Sequence, residues 1–127
     1  MNWKYVKQTK RENIDKVETL LKVSIPENLR NLILDANNGR PEQDTFDTET
    51  EQGKQFKKLL SYNHEDNENI YSCISLFEGT GLIPFADDPA GNFLCLDNGK
   101  VIFWNHETSK KEFVSEDLNT FINNLYE

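Results

Sequence analysis

The sequence has few cysteines and no long apolar run. Its 127 residues include two cysteines, Cys73 and Cys95, which stand alone in apolar segments without Cys-x-x-Cys spacing. This pattern predicts buried, reduced thiols rather than a disulfide. No apolar stretch approaches the roughly 18 residues that a bilayer span needs, and the N-terminus lacks the apolar segment of a secretory signal. We therefore expect a cytoplasmic protein that is not inserted in a membrane.

The sequence also lacks the motifs that mark many catalytic or cofactor sites. It contains no phosphate-binding loop, no Gly-x-Gly-x-x-Gly, no His-Glu-x-x-His, no Gly-x-Ser-x-Gly and no EF-hand spacing. Its two histidines are His64 and His106, and Glu107 and Asp88 would join His106 only if the strands before them pair. Neighbouring residues on a strand point to opposite faces, which argues against a shared ion for His106 and Glu107. The sequence therefore favours a non-enzyme without catalytic residues, metal or cofactor.

Positive charge is scarce, and most of the negative charge lies in the second part of the chain. The formal net charge is -8, and the pI is near 4.8. Residues 1–41 carry 8 Lys or Arg against 5 Asp or Glu, whereas residues 42–127 carry 6 against 17. Because Lys and Arg contacts to phosphate supply most non-specific nucleic-acid affinity, this balance argues against direct DNA or RNA binding. It suits a basic protein partner, although an acidic surface serves solubility alone in many proteins.

Apolar spacing predicts two helices in the first part of the chain. The first runs from about residue 10 to 22, and Thr9 and Glu12 fit a capping box at its start. Its basic residues are expected to pair with acidic residues of the same helix, namely Glu12, Asp15 and Glu18. Pro26 begins a second helix, which ends at residues 37–39, Asn-Asn-Gly.

The middle of the chain is acidic and less regular. Residues 40–51 predict a loop or a short edge strand, and the short apolar run at 56–62 permits either a helical turn or a strand. A third helix is predicted from apolar residues spaced i, i+3, i+4 and i+7, which are Ile70, Cys73, Ile74 and Phe77.

A β-hairpin is the clearest local signal in the chain. Apolar runs at 93–96 and 101–104 flank Asn98-Gly99, and both of these turn residues tolerate positive φ. Further elements are predicted around it: a strand at 82–85, a short strand at 112–114 and a final helix capped at 115–117. The predicted fold is α+β, with a mostly antiparallel central sheet flanked by N-terminal and C-terminal helices, in one domain covering residues 1–127.

The segment from Leu82 to Glu107 resembles the signature of the SUKH immunity-protein superfamily, which includes fungal cell-wall assembly regulator domains of the Smi/Knr type. The resemblance is carried by Ile83-Pro84-Phe85-Ala86, Asp88, Gly91-Asn92, Asp97 and Trp104. It implies an α+β fold with a strand near residues 58–62. For small bacterial members it also implies a cytoplasmic protein that binds and neutralises a toxin domain, often a nuclease. A basic nuclease domain would complement the acidic charge. A regulatory module that binds an endogenous protein is the alternative.

Candidate partner-binding residues are acidic or lie near the hairpin. An acidic run is usually a solvated surface, and it is also the first place to look for a cationic partner. Asp88 and Asn92 order a turn and keep acceptors for a partner, while Trp104 is expected to lie half in the core and half at the rim. The candidates are Asp44, Asp47, Glu49, Glu51, Glu65, Asp66, Glu68, Asp88, Asn92 and Trp104. We expect a monomer or a weak homo-oligomer.

Overall fold

Four α-helices and three antiparallel sheets make up the fold in the computed structural model, which describes all 127 residues. In chain order the elements are β1 (Trp3–Lys4), α1 (Arg11–Leu21), α2 (Glu27–Ala36), β2 (Arg40–Pro41), β3 (Thr45–Phe46), β4 (Lys54–Gln55), β5 (Lys58–Leu59), a 3-10 helix (Ile70–Ser72), α3 (Ile74–Phe77), β6 (Ile83–Asp87), β7 (Phe93–Asp97), β8 (Lys100–Trp104), β9 (Lys111–Ser115) and α4 (Leu118–Asn123). Strands β5 to β9 form the main sheet in that order, β1 pairs with β2, and β3 pairs with β4. The α+β prediction is confirmed.

The β7–β8 hairpin forms where the sequence predicts it. Asp97 pairs with Lys100, and the two-residue loop between them consists of Asn98 at φ 51° and Gly99 at φ 86°. Positive φ at both positions matches a type I′ turn, whose twist suits the flanking strands. The predicted last strand and last helix also form, and the side chain of Asp117 caps α4 by accepting a hydrogen bond from the Thr120 N–H at 2.7 Å.

The first two helices follow the predicted apolar stripes, but one predicted cap is wrong. The buried residues of α1 are Ile14, Val17 and Leu21. Its N-cap makes no side-chain hydrogen bond. The Thr9 hydroxyl instead accepts a hydrogen bond from the Asn13 side chain at 3.1 Å. Because α1 begins at Arg11 with Lys10 as its N-cap, Thr9 lies one residue before the capping position, and no capping box forms.

Two acidic residues of α1, Asp15 and Glu18, pair with α2 rather than with lysines of their own helix, and Glu12 makes no ion pair, so that prediction is also wrong. One guanidinium nitrogen of Arg30 lies 2.9 Å from Asp15 and 2.6 Å from Glu18. Arg30 is the better partner because α2 packs across α1 and the guanidinium can donate several hydrogen bonds at once. Lys22, at the end of α1, pairs instead with Glu78.

The predicted third helix is divided into the 3-10 helix and the four-residue α3. The four apolar residues that predict it are all buried. Cys73, which lies between the two pieces, has φ -116° and ψ 0°, a bridge-region conformation that interrupts the helix. Apolar spacing thus identified the buried face but not the hydrogen-bond pattern of the backbone.

One hydrophobic cluster of 31 buried residues joins the helices to the main sheet. The Phe121 ring of α4 packs against three other aromatic rings, Phe46, Phe56 and Phe85, with centroids 5.6 to 6.2 Å away. Trp104 packs edge-on against Phe77 at 4.8 Å and is only 7% exposed. It is therefore a core residue, and the expected half-exposed position is wrong.

Both cysteines are buried and free, as predicted. None of the helices combines the length and the apolar character that crossing a bilayer would require.

Asn37, the residue that follows α2, has a buried side-chain amide that connects three parts of the chain. Its Nδ2 donates to the Lys7 carbonyl and to Ser61 Oγ, each at 3.1 Å. Its Oδ1 accepts from the Tyr62 N–H at 2.8 Å. Asn63, two residues after Ser61, extends the network, since its side chain donates to the Gln8 carbonyl at 2.8 Å. These bonds hold the N-terminal segment against the chain that follows β5.

The pairing of β5 with β6 places Lys58 opposite Asp87. Burial raises the pKa of Asp87 to about 6, although Lys57 and Lys58 act to lower it. Oδ1 of Asp87 is buried without a hydrogen-bond partner. The Lys58 ammonium, on a side chain only 5% exposed, donates instead to Asn38 Oδ1 at 3.0 Å. The site therefore disfavours the charged form of Asp87.

Replacing Asn37 is expected to be strongly destabilising. Asn37→Ala leaves the Tyr62 N–H and the Lys7 carbonyl without their partner, and we expect a loss of about 3 kcal/mol in the free energy of unfolding. Urea denaturation at pH 7 measures this loss. Asn31→Ala is the control, because Asn31 is exposed on the same helix, and its effect should stay within about 0.5 kcal/mol. Equal effects of the two substitutions would contradict the role given to Asn37.

Asp87 is expected to lower the stability of the fold as pH rises, whereas a carboxylate that is ion-paired in the folded state raises it. Its folded-state pKa of about 6 lies above the unfolded value near 4, so its contribution to stability falls as pH rises through that interval. Asp87→Asn cannot acquire this charge. We expect its free energy of unfolding to exceed that of the wild type by about 2 kcal/mol above pH 6 and to match it near pH 4. Urea denaturation between pH 4 and 8 measures the difference. Asp35→Asn, at an exposed position of α2, is the control and should not change the profile.

Candidate functional site

Two polar grooves share Tyr5 and Arg40 as lining residues. The first has a volume of about 360 Å³ and the second about 420 Å³. We call this surface the groove face. The first groove is also lined by Lys7, Asn38, Lys58, Asp66, Asn67 and Glu68, and the second by Lys4, Pro41, Glu42, Asp44, Gln55, Phe56, Lys57 and Pro89.

The β1–β2 pairing brings the two shared residues together. Lys4 is the partner of Arg40 in that register, so Tyr5 follows directly after the paired strand. The Tyr5 carbonyl accepts a hydrogen bond from Asn38 Nδ2 at 3.0 Å, and the Lys7 N–H donates to the Asn37 carbonyl at 2.9 Å. The Tyr5 backbone is left-handed, with φ 62°, and its side chain is exposed. The guanidinium carbon of Arg40 lies 5.8 Å from the centroid of the Tyr5 ring.

Apart from Asp88 in the turn between β6 and β7, seven candidates are acidic, and three of these line the groove face. Asp44 lies in the second groove, and Asp66 and Glu68 lie in the first. Asp44 follows β2, whereas the other two belong to the loop before the 3-10 helix, so the fold brings together acidic segments that are separate in the sequence. Glu65 is exposed beside that loop but lines neither groove.

The other three acidic candidates follow β3 and face a different part of the surface. Glu49 and Glu51 line a groove of about 510 Å³ next to β9, where Glu51 lies 3.1 Å from the Lys54 ammonium. The Asp47 carboxylate accepts hydrogen bonds from the Tyr126 hydroxyl and from the Gly53 N–H. The acidic candidates therefore do not form one continuous patch.

The carboxylates of the first groove are held in place and ionised. Burial acts to raise the pKa of Asp66, but hydrogen bonds from Ser61 and Asn63 and the charge of Lys7 lower it overall. A hydrogen bond from Lys57 lowers the pKa of Glu68, and the charge of Lys58 adds to the effect. Burial in turn lowers the pKa of Lys58.

The groove face carries both signs of charge. Its basic residues are Lys4, Lys7, Arg40, Lys57 and Lys58, and its acidic residues are Glu42, Asp44, Asp66 and Glu68. Lys7 and Lys57 contact carboxylates of the chain, and Lys58 contacts an amide oxygen. The Lys4 ammonium and the Arg40 guanidinium make no ion pair and no hydrogen bond within the chain. The face therefore offers ionised carboxylates and one unpaired guanidinium to a partner.

The turn between β6 and β7 joins Asp88 to His106 through Asn92. Asn92 donates from Nδ2 to Asp88 at 3.0 Å, and its Oδ1 lies 2.7 Å from His106 Nδ1. An amide oxygen only accepts, so Nδ1 of His106 carries a proton. The Glu107 N–H is bound by the Asn105 side chain, and the Glu107 carboxylate takes no part in the chain of hydrogen bonds. Asp88 and His106 thus converge, whereas Glu107 does not.

This turn has a structural role in the fold. Asp88 also accepts from the backbone N–H groups of Ala90 and Asn92, which fixes the turn. Asn92 is buried, so its amide serves the turn rather than the surface. Pro89 of the same turn lines the second groove, and the turn therefore borders the groove face. No group of three His, Cys, Asp or Glu side chains is placed to hold a metal ion.

Sequence reasoning missed Tyr5 and Arg40. Tyr5 lies in a short N-terminal segment without periodicity, and Arg40 lies in the predicted loop, so neither carries a local signal of proximity to the other. Their meeting depends on a strand pair of two residues each. The excess of basic residues in positions 1–41 was the one available hint, since the cations of the groove face come partly from that segment.

Comparison with known proteins places the chain in a family. The model of the SUKH_6 family, described as SMI1-KNR4 cell-wall, matches residues 11–122. No curated protein and no solved structure matches the chain. The family match spans α1 to α4 and includes the segment that carries the resemblance seen in the sequence. The chain therefore belongs to the SUKH superfamily, in the family described as SMI1-KNR4 cell-wall.

Proposed function

We propose that this chain is an immunity protein that acts in the cytoplasm as a single domain. It binds the domain of a cognate bacterial toxin, a basic nuclease, and neutralises it by protein–protein contact at the groove face. The observation that carries the proposal is the net charge of -8 on a chain that belongs to the SUKH superfamily. The groove face, where ionised carboxylates from two acidic segments lie beside cations, is the surface that we assign to the contact.

The charge of the chain supports this choice of partner. A net charge of -8 attracts a basic domain over a distance and accelerates its association. The carboxylates of Asp66 and Glu68 are ionised and already held by hydrogen bonds, so binding costs them little side-chain entropy. Neutralisation by contact requires no chemistry from the chain, only a complementary surface.

The accessible surface of the chain is large enough for a protein partner. A standard interface covers roughly 800 Å² on each protein. The whole chain exposes 6937 Å², so such an interface would take a little over a tenth of it. Two grooves that share Tyr5 and Arg40 as lining offer a partner a concave surface rather than a flat one.

A regulatory module that binds an endogenous protein is the second candidate function. The family description, SMI1-KNR4 cell-wall, supports it, since it refers to the cell wall and not to a toxin. A regulator of this kind would show no dependence on a toxin, which separates the two functions by experiment.

Where a toxin is encoded beside this chain, co-expression with its C-terminal domain is expected to restore growth of a host that this domain alone kills. The two proteins should co-purify at a fixed ratio, and the complex should weaken as salt screens the charges between them. Growth curves and size-exclusion chromatography at several salt concentrations measure these effects. Absence of both rescue and complex would contradict toxin neutralisation for that toxin and favour the regulatory module.

Neutralising two carboxylates of the groove face is expected to slow toxin binding. Glu42→Gln/Asp44→Asn should lower the association rate about tenfold at low ionic strength, and the difference should shrink at high salt. Glu27→Gln/Glu107→Gln is the matched control, because it removes the same charge from exposed residues that line neither groove. Equal rates for the two variants would show that net charge alone, and not the groove face, drives binding.

A further inference from the structure

Tyr5 combines an unfavourable backbone conformation with an exposed aromatic ring. Five residues other than glycine have positive φ, and Tyr5 is the only aromatic one among them. A bulky side chain in the left-handed region is a rare and unfavourable arrangement, for which glycine or asparagine is the usual choice. The Tyr5 side chain is 70% exposed, so packing within the chain does not compensate for the strain.

Arg40 beside it is also without a partner of its own. The guanidinium contacts the Tyr5 ring, at 5.8 Å from its centroid, and no carboxylate lies within 4.0 Å of it. Strand pairing holds the Arg40 backbone in place. The result is an exposed pair of one tyrosine and one arginine, which we call the ridge, and which both grooves share as lining. Tyr and Arg are among the residues that contribute most to binding at protein interfaces, particularly where they fit between complementary pockets.

We propose that Tyr5 and Arg40 are the main affinity determinants of the groove face, and that they bind a partner segment with a carboxylate beside an apolar side chain. Arg40 would bind the carboxylate through its two-pronged guanidinium, and Tyr5 would cover the apolar side chain. The partner is the toxin domain, so this inference rests on the proposed function. The acidic residues along the grooves bind basic residues of the same partner. Charges of both signs then fix the orientation of the complex, which acidic residues alone would not do.

The experiment compares toxin binding and stability for Tyr5→Gly, Arg40→Gln and a control. Isothermal titration calorimetry with a catalytically inactive toxin domain gives the dissociation constants. We expect Tyr5→Gly to weaken binding about 30-fold and Arg40→Gln about tenfold. Because glycine relieves the left-handed backbone but adds chain entropy, the melting temperature of Tyr5→Gly should stay within about 3 °C of the wild type.

Lys22→Gly is the matched control. Lys22 is also left-handed, with φ 60°, and it lies at the end of α1 away from both grooves. The Lys22→Gly substitution should leave toxin binding unchanged. If the wild type binds the toxin and both Tyr5→Gly and Arg40→Gln bind it as tightly as the wild type, the inference is wrong while the proposed function stands. If the wild type does not bind, the proposed function fails and the inference fails with it.

Sedimentation equilibrium of the chain alone tests a second occupant of the ridge. A monomeric wild type is expected. A wild-type dimer that Tyr5→Gly dissociates, together with unchanged toxin binding by that variant, would assign the ridge to a second copy of the chain and overturn the inference.

Discussion

The groove face depends on one buried side chain, the amide of Asn37. Its three hydrogen bonds join the end of α2, the N-terminal segment and the chain after β5, which no strand of more than two residues connects. Hydrogen bonds in such a buried site are strong because little water competes for them, and each would be costly to leave unmade. Asn38, the next residue, binds the Tyr5 carbonyl and the Lys58 ammonium. Two consecutive asparagines thus position both grooves.

Local signals in the sequence identified the elements whose contacts are local. The β7–β8 hairpin and the α4 helix agree with prediction because their turn and cap chemistry lies within a few residues. The prediction of a capping box at Thr9 was wrong because α1 begins at Arg11, which makes Lys10 the N-cap. The role of Asn37 was out of reach, since its partners Lys7 and Ser61 lie 30 and 24 residues away. A helix-ending asparagine looks the same in sequence whether its amide meets water or a buried network.

The candidate site was foreseen in its charge but not in its shape. Composition and clustering indicated the acidic residues, and three of them line the groove face. The same reasoning grouped Glu49 with Asp66 although they face different grooves, because a charge count carries no information on where a segment folds. Trp104 was assigned partly to the surface from the general habits of tryptophan, whereas its contacts with Phe77 and Phe93 bury it.

The short β1–β2 pairing has a consequence for the mechanics of the complex. A segment held by two residue pairs and a few side-chain hydrogen bonds is among the first parts of a protein to open locally. A partner bound to Tyr5 and Arg40 contacts both sides of this pairing, so it binds only the docked form. By mass action its binding energy is then added to the free energy of docking. Binding of the partner would therefore protect the β1–β2 pairing against local opening.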